Sequence, residues 1–366
     1  MKRRRTQVAS VDDDPSVAQR RSRGLRGGVI HPFIYHSPRT RDEAASHLAE
    51  RDALPLGGGT DLLVLIDEQL ARPSALVDLR RVEGLGDISD TRTDGLRIGA
   101  STRIDEIARN SRIAEMYPAL AEACAAVGTP ALRQMGTIGG NLCQRPRCWY
   151  FRRGIPCLKN GGTDCPAYGG ENQYHAIVDG GPCFAVHPSD PAVALTALDC
   201  VIEVTGHDLV TGSTTRRVPI EQFYVLPTER VDRETNLANG EFVSGIILPA
   251  DAAADAPGQQ RYTKVMQRGA WDFALVSLAA VRRADGDVRL VLGGVAPRPW
   301  RVARSVEEEV ASHLGKGGGG GGGLDDRAVA ALAERALQSA RPLSKNQYKV
   351  ELASSLLRRG IREITA

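Results

Sequence analysis

Leu56-Gly57-Gly58-Gly59-Thr60-Asp61-Leu62 sets three consecutive glycines between the apolar run Leu54-Pro55-Leu56 and a second apolar run. Glycines let backbone N–H groups approach a phosphate closely, and Thr60 adds a hydroxyl donor. No Gly-Lys-Ser/Thr follows, so this is not a Walker loop, and the Gly-x-Gly-x-x-Gly spacing of a dinucleotide fingerprint is missing. Read alone, the stretch describes a tight turn as readily as a phosphate cradle. A second stretch, Gly136-Thr137-Ile138-Gly139-Gly140-Asn141, again offers paired glycines flanked by hydroxyl and amide side chains. By itself it reads as a loop between helix and strand. Together, two such loops could grip one pyrophosphate from both sides.

Directly after the second stretch comes a cysteine-rich window. Of 7 cysteines in 366 residues, Cys143, Cys148, Cys157, Cys165 and Cys183 fall there, interleaved with Pro, Gly and Arg. Scattered core cysteines do not look like this, and the arrangement suggests a metal cluster and electron transfer. Soft thiolates suit iron–sulfur clusters, one ligand per iron. Spacings of nine, eight and eighteen residues differ from the paired Cys-x-x-Cys of a zinc ribbon. Zinc and disulfides remain as alternatives, the latter requiring an oxidising compartment and leaving one of the seven unpaired. Cys124 and Cys200 sit among apolar neighbours and read as buried structural thiols.

Composition bounds the rest. With 42% hydrophobic and 25% charged residues, the chain can bury a full core, in two or three domains. No run approaches the roughly 18 to 20 apolar residues of a membrane span, and Met1-Lys2-Arg3-Arg4-Arg5 is not followed by a signal-peptide core. The net charge of +3 does not point to nucleic acid, because residues 1–29 hold eight Lys/Arg against three Asp, or +5, leaving about −2 elsewhere. That tail is expected to be disordered, and the seven glycines Gly317 to Gly323 to form a linker.

Between these features the pattern is mixed α and β. Thr40-Arg41-Asp42-Glu43 has capping-box form before Ala44, Ala45 and Leu48. Ala75 to Leu79 and Leu96 to Ala100 read as strands, and Tyr117 to Val127, ended by Gly128, as a helix. Asp190-Pro191 opens another helix, with Asp190 as its cap. A polar break at Asp251 to Gln260 is the candidate domain boundary, Asp285-Gly286 a hairpin turn, and two helical patterns close the chain. No catalytic triad or paired carboxylates stand out. His31, His36, His47, His175, His187, His207 and His313 show no zinc-protease spacing.

Taken in order, these motifs resemble the FAD-binding, or medium, subunit of the molybdenum-containing hydroxylases, related to the flavin domain of xanthine dehydrogenase and carbon monoxide dehydrogenase. The match runs from His31-Pro32-Phe33 to the C-terminus. It rests on the two glycine stretches, on Arg97-Ile98-Gly99-Ala100 and His187-Pro188-Ser189-Asp190, and on Lys264-Val265-Met266-Gln267-Arg268 with Phe273-Ala274-Leu275-Val276 and Leu292-Gly293-Gly294-Val295-Ala296. The resemblance implies an α+β architecture. A two-part FAD domain of the vanillyl-alcohol-oxidase type, residues 31–255, is followed by a small α+β C-terminal domain, residues 256–366. It also implies that Leu56, Gly57, Gly58, Gly59, Thr60, Asp61 and Leu62, with Thr137, Gly139, Gly140 and Asn141, hold the FAD pyrophosphate. Asp190 and Lys264 match positions near the flavin, while a helix cap and a solvated strand lysine are the competing readings.

Ordinary medium chains lack the cysteine segment at about 143–185. It looks like the subset with an extra 4Fe-4S cluster, which includes the flavin subunits of the periplasmic aldehyde oxidoreductase and of 4-hydroxybenzoyl-CoA reductase. The resemblance therefore implies Cys148, Cys157, Cys165 and Cys183 as cluster ligands, with Cys143 ranked fifth. Trp149, Tyr150 and Phe151 would shield the cluster or anchor the core. Arg145, Arg147, Arg152 and Arg153 would offset its charge, face a partner or simply be solvated. The implied partners are a molybdenum-cofactor large subunit and a 2Fe-2S small subunit, with an external electron acceptor and neither nucleic acid nor membrane. Cytoplasmic location, or periplasmic export with a partner, and an aromatic aldehyde substrate held by the large subunit complete the expectation. A stand-alone flavin oxidoreductase and a non-enzymatic iron–sulfur scaffold are the rival readings.

Overall fold

The structure is a computed structural model that describes residues 30–91, 95–208, 211–254, 258–314 and 324–365. The basic tail, most of the candidate boundary's centre and the Gly317 to Gly323 run lie outside the described residues.

The first layer is a small parallel sheet. Strand β1 (Ile34–His36) is followed by helix α1 (Arg41–Leu48), β2 (Ala53–Leu56), α2 (Leu62–Asp67) and β3 (Ala75–Asp78), with strand order β1-β3-β2. The expected capping box starts α1: Thr40 Oγ1 accepts from the Glu43 N–H, and Glu43 reaches back to the Thr40 N–H. Ala44, Ala45 and Leu48 on its inner face pack on Ala53, Ala75 and Val77.

A five-stranded antiparallel sheet follows. Its strands are β4 (Ile88–Thr91) and β5 (Gly95–Gly99), then, after helices α3 (Pro118–Ala125), α4 (Ile138–Leu142), α5 (Trp149–Arg152) and α6 (Asp190–Ala197), strands β6 (Val201–Asp208), β7 (Gly212–Pro219) and β8 (Phe242–Leu248), in the order β4-β5-β8-β6-β7. A largely buried pair, Arg97 Nε to Glu203 Oε2 at 2.6 Å, crosses this sheet over Gly245, where a side chain would collide with both groups. The main core joins this sheet to α3, α4 and α6, with Cys124 and Cys200 inside it as expected.

The last layer is an antiparallel sheet of β9 (Gln260–Val265), β10 (Val276–Arg282), β11 (Val288–Gly293) and β12 (Trp300–Arg301) in the order β12-β11-β10-β9. The expected hairpin joins β10 to β11, with Gly286 at φ +86 in its turn. Helices α7 (Arg304–Leu314), α8 (Asp326–Ala336) and α9 (Tyr348–Thr365) cover the sheet. Helix α7 lies before the glycine run, in a region whose sequence reads as β-rich. Its register, with Val306 and Val310 buried, is too short a pattern to stand out next to β12.

Candidate functional site

Residues 57–61 turn the chain from β2 into α2, and the first two glycines make a close approach possible. A Cβ on Gly57 would lie 2.5 Å from Thr137 Oγ1, and one on Gly58 would lie 1.8 Å from the Met135 carbonyl oxygen. The two glycine stretches are therefore packed against each other, as only residues without side chains allow. Among the described residues, the N–H groups of Gly58, Gly59, Thr60 and Asp61 meet no protein acceptor. They line a cavity of about 390 Å³.

The second stretch behaves differently. It is not a loop between helix and strand but the short helix α4, because Thr137 caps it, its Oγ1 accepting from the Gly140 N–H at 3.3 Å. The Ile138 N–H donates to the Thr102 carbonyl and the Gly139 N–H to the Ala100 carbonyl. Its donors are thus spent inside the protein. Gly139 is needed for packing, since a Cβ there would sit 2.8 Å from that of Ala100. Thr137, Gly140 and Asn141 line the same cavity as the first stretch. Asn141 Oδ1 accepts from Ser189 Oγ at 2.6 Å, and Ser189 Oγ in turn caps α6 by accepting from the Ala192 N–H at 3.1 Å. Ser189, and not Asp190, is therefore the cap, and Asp190 occupies the first helical position.

The same cavity is bordered by a cluster of charged side chains. Asp61 accepts from the Arg145 backbone N–H at 2.8 Å and from Arg152 Nη2 at 2.7 Å, and forms an ion pair with Arg147 Nη1 at 2.9 Å. Buried Glu234 pairs with Arg145 Nε and Lys159 Nζ, both at 2.6 Å. Four cations thus share two carboxylates in this cluster, of which only Arg145 and Arg147 line the cavity, together with Asp61 and Glu234. Of the arginines weighed from sequence, only Arg153 stays exposed.

A second cavity of about 260 Å³ adjoins the first. Arg147 and Phe273 line both and form the waist between them, the guanidinium carbon 5.2 Å from the ring centre. Its walls include Cys148, Trp149, Tyr174, His175, His187 and Asp190 from one side, and Gln267, Leu275, Ser277 and Gly294 from the other. Buried His187 accepts from the Ser189 N–H on Nδ1 at 3.4 Å, while Nε2 makes no well-formed hydrogen bond. Burial pushes its imidazole down to about 4, only partly offset by the Leu142 carbonyl. His175 is likewise lowered to about 4, by burial first and then by nearby Lys349, and its Nδ1 is unpartnered. Lys349, on α9, donates to the carbonyls of Tyr174, His175 and Gly294, fastening this floor to the last helix.

Asp190 is deeply buried, and burial raises its carboxyl against the opposing pull of Lys264 and Tyr262. Lys264 Nζ lies 2.8 Å from Asp190 Oδ2 and the Tyr262 hydroxyl 2.5 Å from Oδ1. Lys264 is therefore no solvated strand lysine: it is almost fully enclosed and also donates to the Ala126 carbonyl.

All seven cysteines are free thiols. Cys148 and Cys157 share an apolar cluster with Leu65 and Phe151, and His175 Nε2 lies 3.3 Å from Cys148 Sγ. Cys165 and Cys183 share a thiol hydrogen bond that lowers Cys165 and raises Cys183. Burial raises Cys148, and the nearby sulfurs of Cys165 and Cys157 act in the same direction, which brings the four thiols into one neighbourhood. Among the described residues no three of them converge within 4.8 Å, whereas thiolates on one tetrahedral ion at ~2.3 Å sit about 3.8 Å apart. Cys143 instead lines the first cavity, raised to about 12 by burial. His187 stands in the sequence only as part of the His187-Pro188-Ser189-Asp190 motif, and His175 and Lys349 carry no local signal, because Lys349 meets the Tyr174, His175 and Gly294 carbonyls from far along the chain.

Comparison with known proteins places this geometry. Residues 30–251 match the FAD binding domain in molybdopterin dehydrogenase, and residues 261–364 the CO dehydrogenase flavoprotein C-terminal domain. The aldehyde oxidoreductase FAD-binding subunit PaoB of Escherichia coli is 35% identical over 91% of this chain and 98% of its own length. The glyceraldehyde dehydrogenase medium chain of Sulfolobus acidocaldarius is 26% identical over the same shares. A chain of quinoline 2-oxidoreductase from Pseudomonas putida superimposes with a TM-score of 0.66 at 23% identity, covering 92% of this chain and 98% of that one, and so speaks for the fold. The α+β architecture read from the sequence, flavin domain then C-terminal domain, is the one found.

Proposed function

Because this chain belongs to the FAD-binding medium subunits of the xanthine dehydrogenase and carbon monoxide dehydrogenase family, and is an oxidoreductase flavoprotein, we propose that it is the FAD- and 4Fe-4S-bearing electron-transfer subunit of a molybdenum-dependent aldehyde- or xanthine-type dehydrogenase. It would carry electrons between the 2Fe-2S centres of a small partner subunit and an external acceptor, beside a large molybdenum-cofactor subunit. The observation that carries the reading is the set of N–H groups at Gly58 to Asp61 that meet no protein acceptor, in a cavity also lined by Arg145 and Arg147, donors suited to a pyrophosphate.

Leu56, Gly57, Gly58, Gly59, Thr60, Asp61 and Leu62 would hold the pyrophosphate together with Thr137, Gly139, Gly140 and Asn141, the two stretches meeting where Gly57 approaches Thr137 and Gly58 approaches Met135. The second cavity suits the flavin ring: its lining includes Trp149, Tyr174, Phe273 and Leu275, and it has partly orphaned imidazole nitrogens at His175 and His187. Asp190 and Lys264 fix the first turn of α6 at its edge. When bound, FAD supplies paired-electron acceptance and single-electron release, chemistry that no side chain here offers. The chain contributes orientation, water exclusion and charge balance. Arg147, at the waist, faces both cavities.

Cys148, Cys157, Cys165 and Cys183 would ligate the cluster, a one-electron carrier next to the ring cavity, with Cys143 outside the set. Support comes from four thiols in one neighbourhood, spread too widely for one ion, in a segment whose arginines balance charge. Trp149 and Tyr150 flank His175 as edge and tilted rings, which limits water there. The reading assigns residues 31–255 to the flavin domain and 256–366 to the C-terminal domain. No described helix is long and apolar enough to cross a membrane. We assign the complex to the cytoplasm, with periplasmic export alongside a partner as the alternative. Reduction of anaerobically purified protein with dithionite should give the electron paramagnetic resonance signal of one reduced 4Fe-4S centre. Flavin without any such signal, even after anaerobic reconstitution, would leave a flavin subunit with free thiols.

A further inference from the structure

Away from both cavities, three side chains that the sequence left isolated come together. His36 ends β1, His47 lies in the last turn of α1, and Glu50 follows that helix. Each brings one ligand atom within 4.8 Å of the other two. Glu50 Oε1 stands 3.4 Å from His47 Nδ1 and 3.9 Å from His36 Nε2. The imidazoles lie face to face, 3.8 Å between centroids and 16° between planes. Among the described residues, no other side chain claims them, and His36 Nε2 is shut off from solvent without a hydrogen-bond partner. A nitrogen so placed costs about 1–3 kcal/mol unless something binds it.

We propose that His36, His47 and Glu50 form a binding site for one divalent transition-metal ion of the zinc class, with the remaining position open to water. Two imidazoles and a carboxylate make a donor set for Zn²⁺, Ni²⁺ or Co²⁺ and not for the all-oxygen preference of Ca²⁺ or Mg²⁺. Ligands held at ~2.0–2.1 Å in a tetrahedron sit about 3.4 Å apart, the separation that Glu50 and His47 already have. The Glu50–His36 edge, at 3.9 Å, needs only a small closure, and the His36–His47 edge lies within 4.8 Å. The rings must splay from their stacked positions so that their lone pairs converge, and rotation about the Cβ–Cγ bond is a soft motion. Entry is open, since Glu50 is 48% and His47 35% exposed. The consequence is mechanical: β1 is a three-residue edge strand paired on one side only, to β3, and the ion would tie it to α1. None of the three residues lines either cavity, so the inference is independent of the flavin and cluster assignment.

The test uses the flavin-loaded protein, stripped of loose metal by dialysis against a weak chelator. Zn²⁺ titration calorimetry and bound-metal analysis compare wild type with Glu50→Gln, His36→Ala and His47→Ala. Thiols are common to all four proteins, so their uptake cancels. Wild type should bind one Zn²⁺ more than the variants, or the same ion at least tenfold more tightly, and Zn²⁺ should raise its melting temperature and not that of Glu50→Gln. Glu50 is exposed, so this variant keeps the test valid if a histidine variant fails to fold. Equal Zn²⁺ number and affinity in wild type and Glu50→Gln would overturn the proposal.

Discussion

The glycine stretches at 57–59 and 139–140 look alike as sequence and do different work. In the first, the residues line a cavity and nothing in the described protein accepts the N–H groups of Gly58 to Asp61. In the second, Thr137 and the carbonyls of Ala100 and Thr102 take the donors, so these glycines serve close packing and a helix start. Glycine in a loop thus says only that backbone comes close to something, whether a ligand or the protein itself. What separates the two cases is the accounting of donors, and that requires the fold.

The largest expected effect comes from Gly58→Ala. Its Cβ would collide with the Met135 carbonyl, a backbone atom that cannot swing aside. Overpacking of this kind costs about 1–3 kcal/mol. If the first loop binds the pyrophosphate, most of that loss should appear as weaker FAD affinity in fluorescence titration. A protein that melts earlier yet keeps its flavin affinity would break the contrast between the loops.

Acid should act on the other arm, where Asn141 holds Ser189 and Ser189 holds His187. The His187 imidazole titrates near 4 when folded and at its ordinary 6.5 when unfolded. The unfolded chain therefore binds the extra proton first, so the stabilisation is complete above pH 6.5 and is lost as pH falls toward 4. The full loss is roughly 3 kcal/mol. Denaturant unfolding between pH 7 and 4 should show a shallower slope for His187→Gln, and an unchanged slope would sharpen doubt about its burial.

Thr137→Ala should cost about 1 kcal/mol of stability through the lost cap, with a smaller loss of FAD affinity than Gly58→Ala. An affinity loss equal to that of Gly58→Ala would erase the contrast between the loops. Gly140→Ala should do least, because its Cβ meets only the Thr137 hydroxyl, at 3.1 Å. Thermal melts should shift by no more than a few degrees.

Local signals were legible without a structure: the α1 capping box, the Asp285-Gly286 hairpin, the α+β order and the cysteine window all follow from neighbours in sequence. What stayed hidden depends on distance along the chain. Ser189 took the cap from Asp190 because Asn141 fixes its hydroxyl. Arginines that read as solvated or partner-facing close on Asp61, some ninety residues earlier. His36 and His47 are separated by a whole helix and meet face to face.

The most direct measurement is iron, sulfide and FAD content, side by side, in anaerobically purified wild type, Gly58→Ala and Cys157→Ser. The account predicts about four irons and one FAD per wild-type chain, iron retained and flavin depleted in Gly58→Ala, and the reverse in Cys157→Ser. Wild-type protein with FAD and no iron would contradict the cluster, and Gly58→Ala with undiminished flavin would contradict the loop.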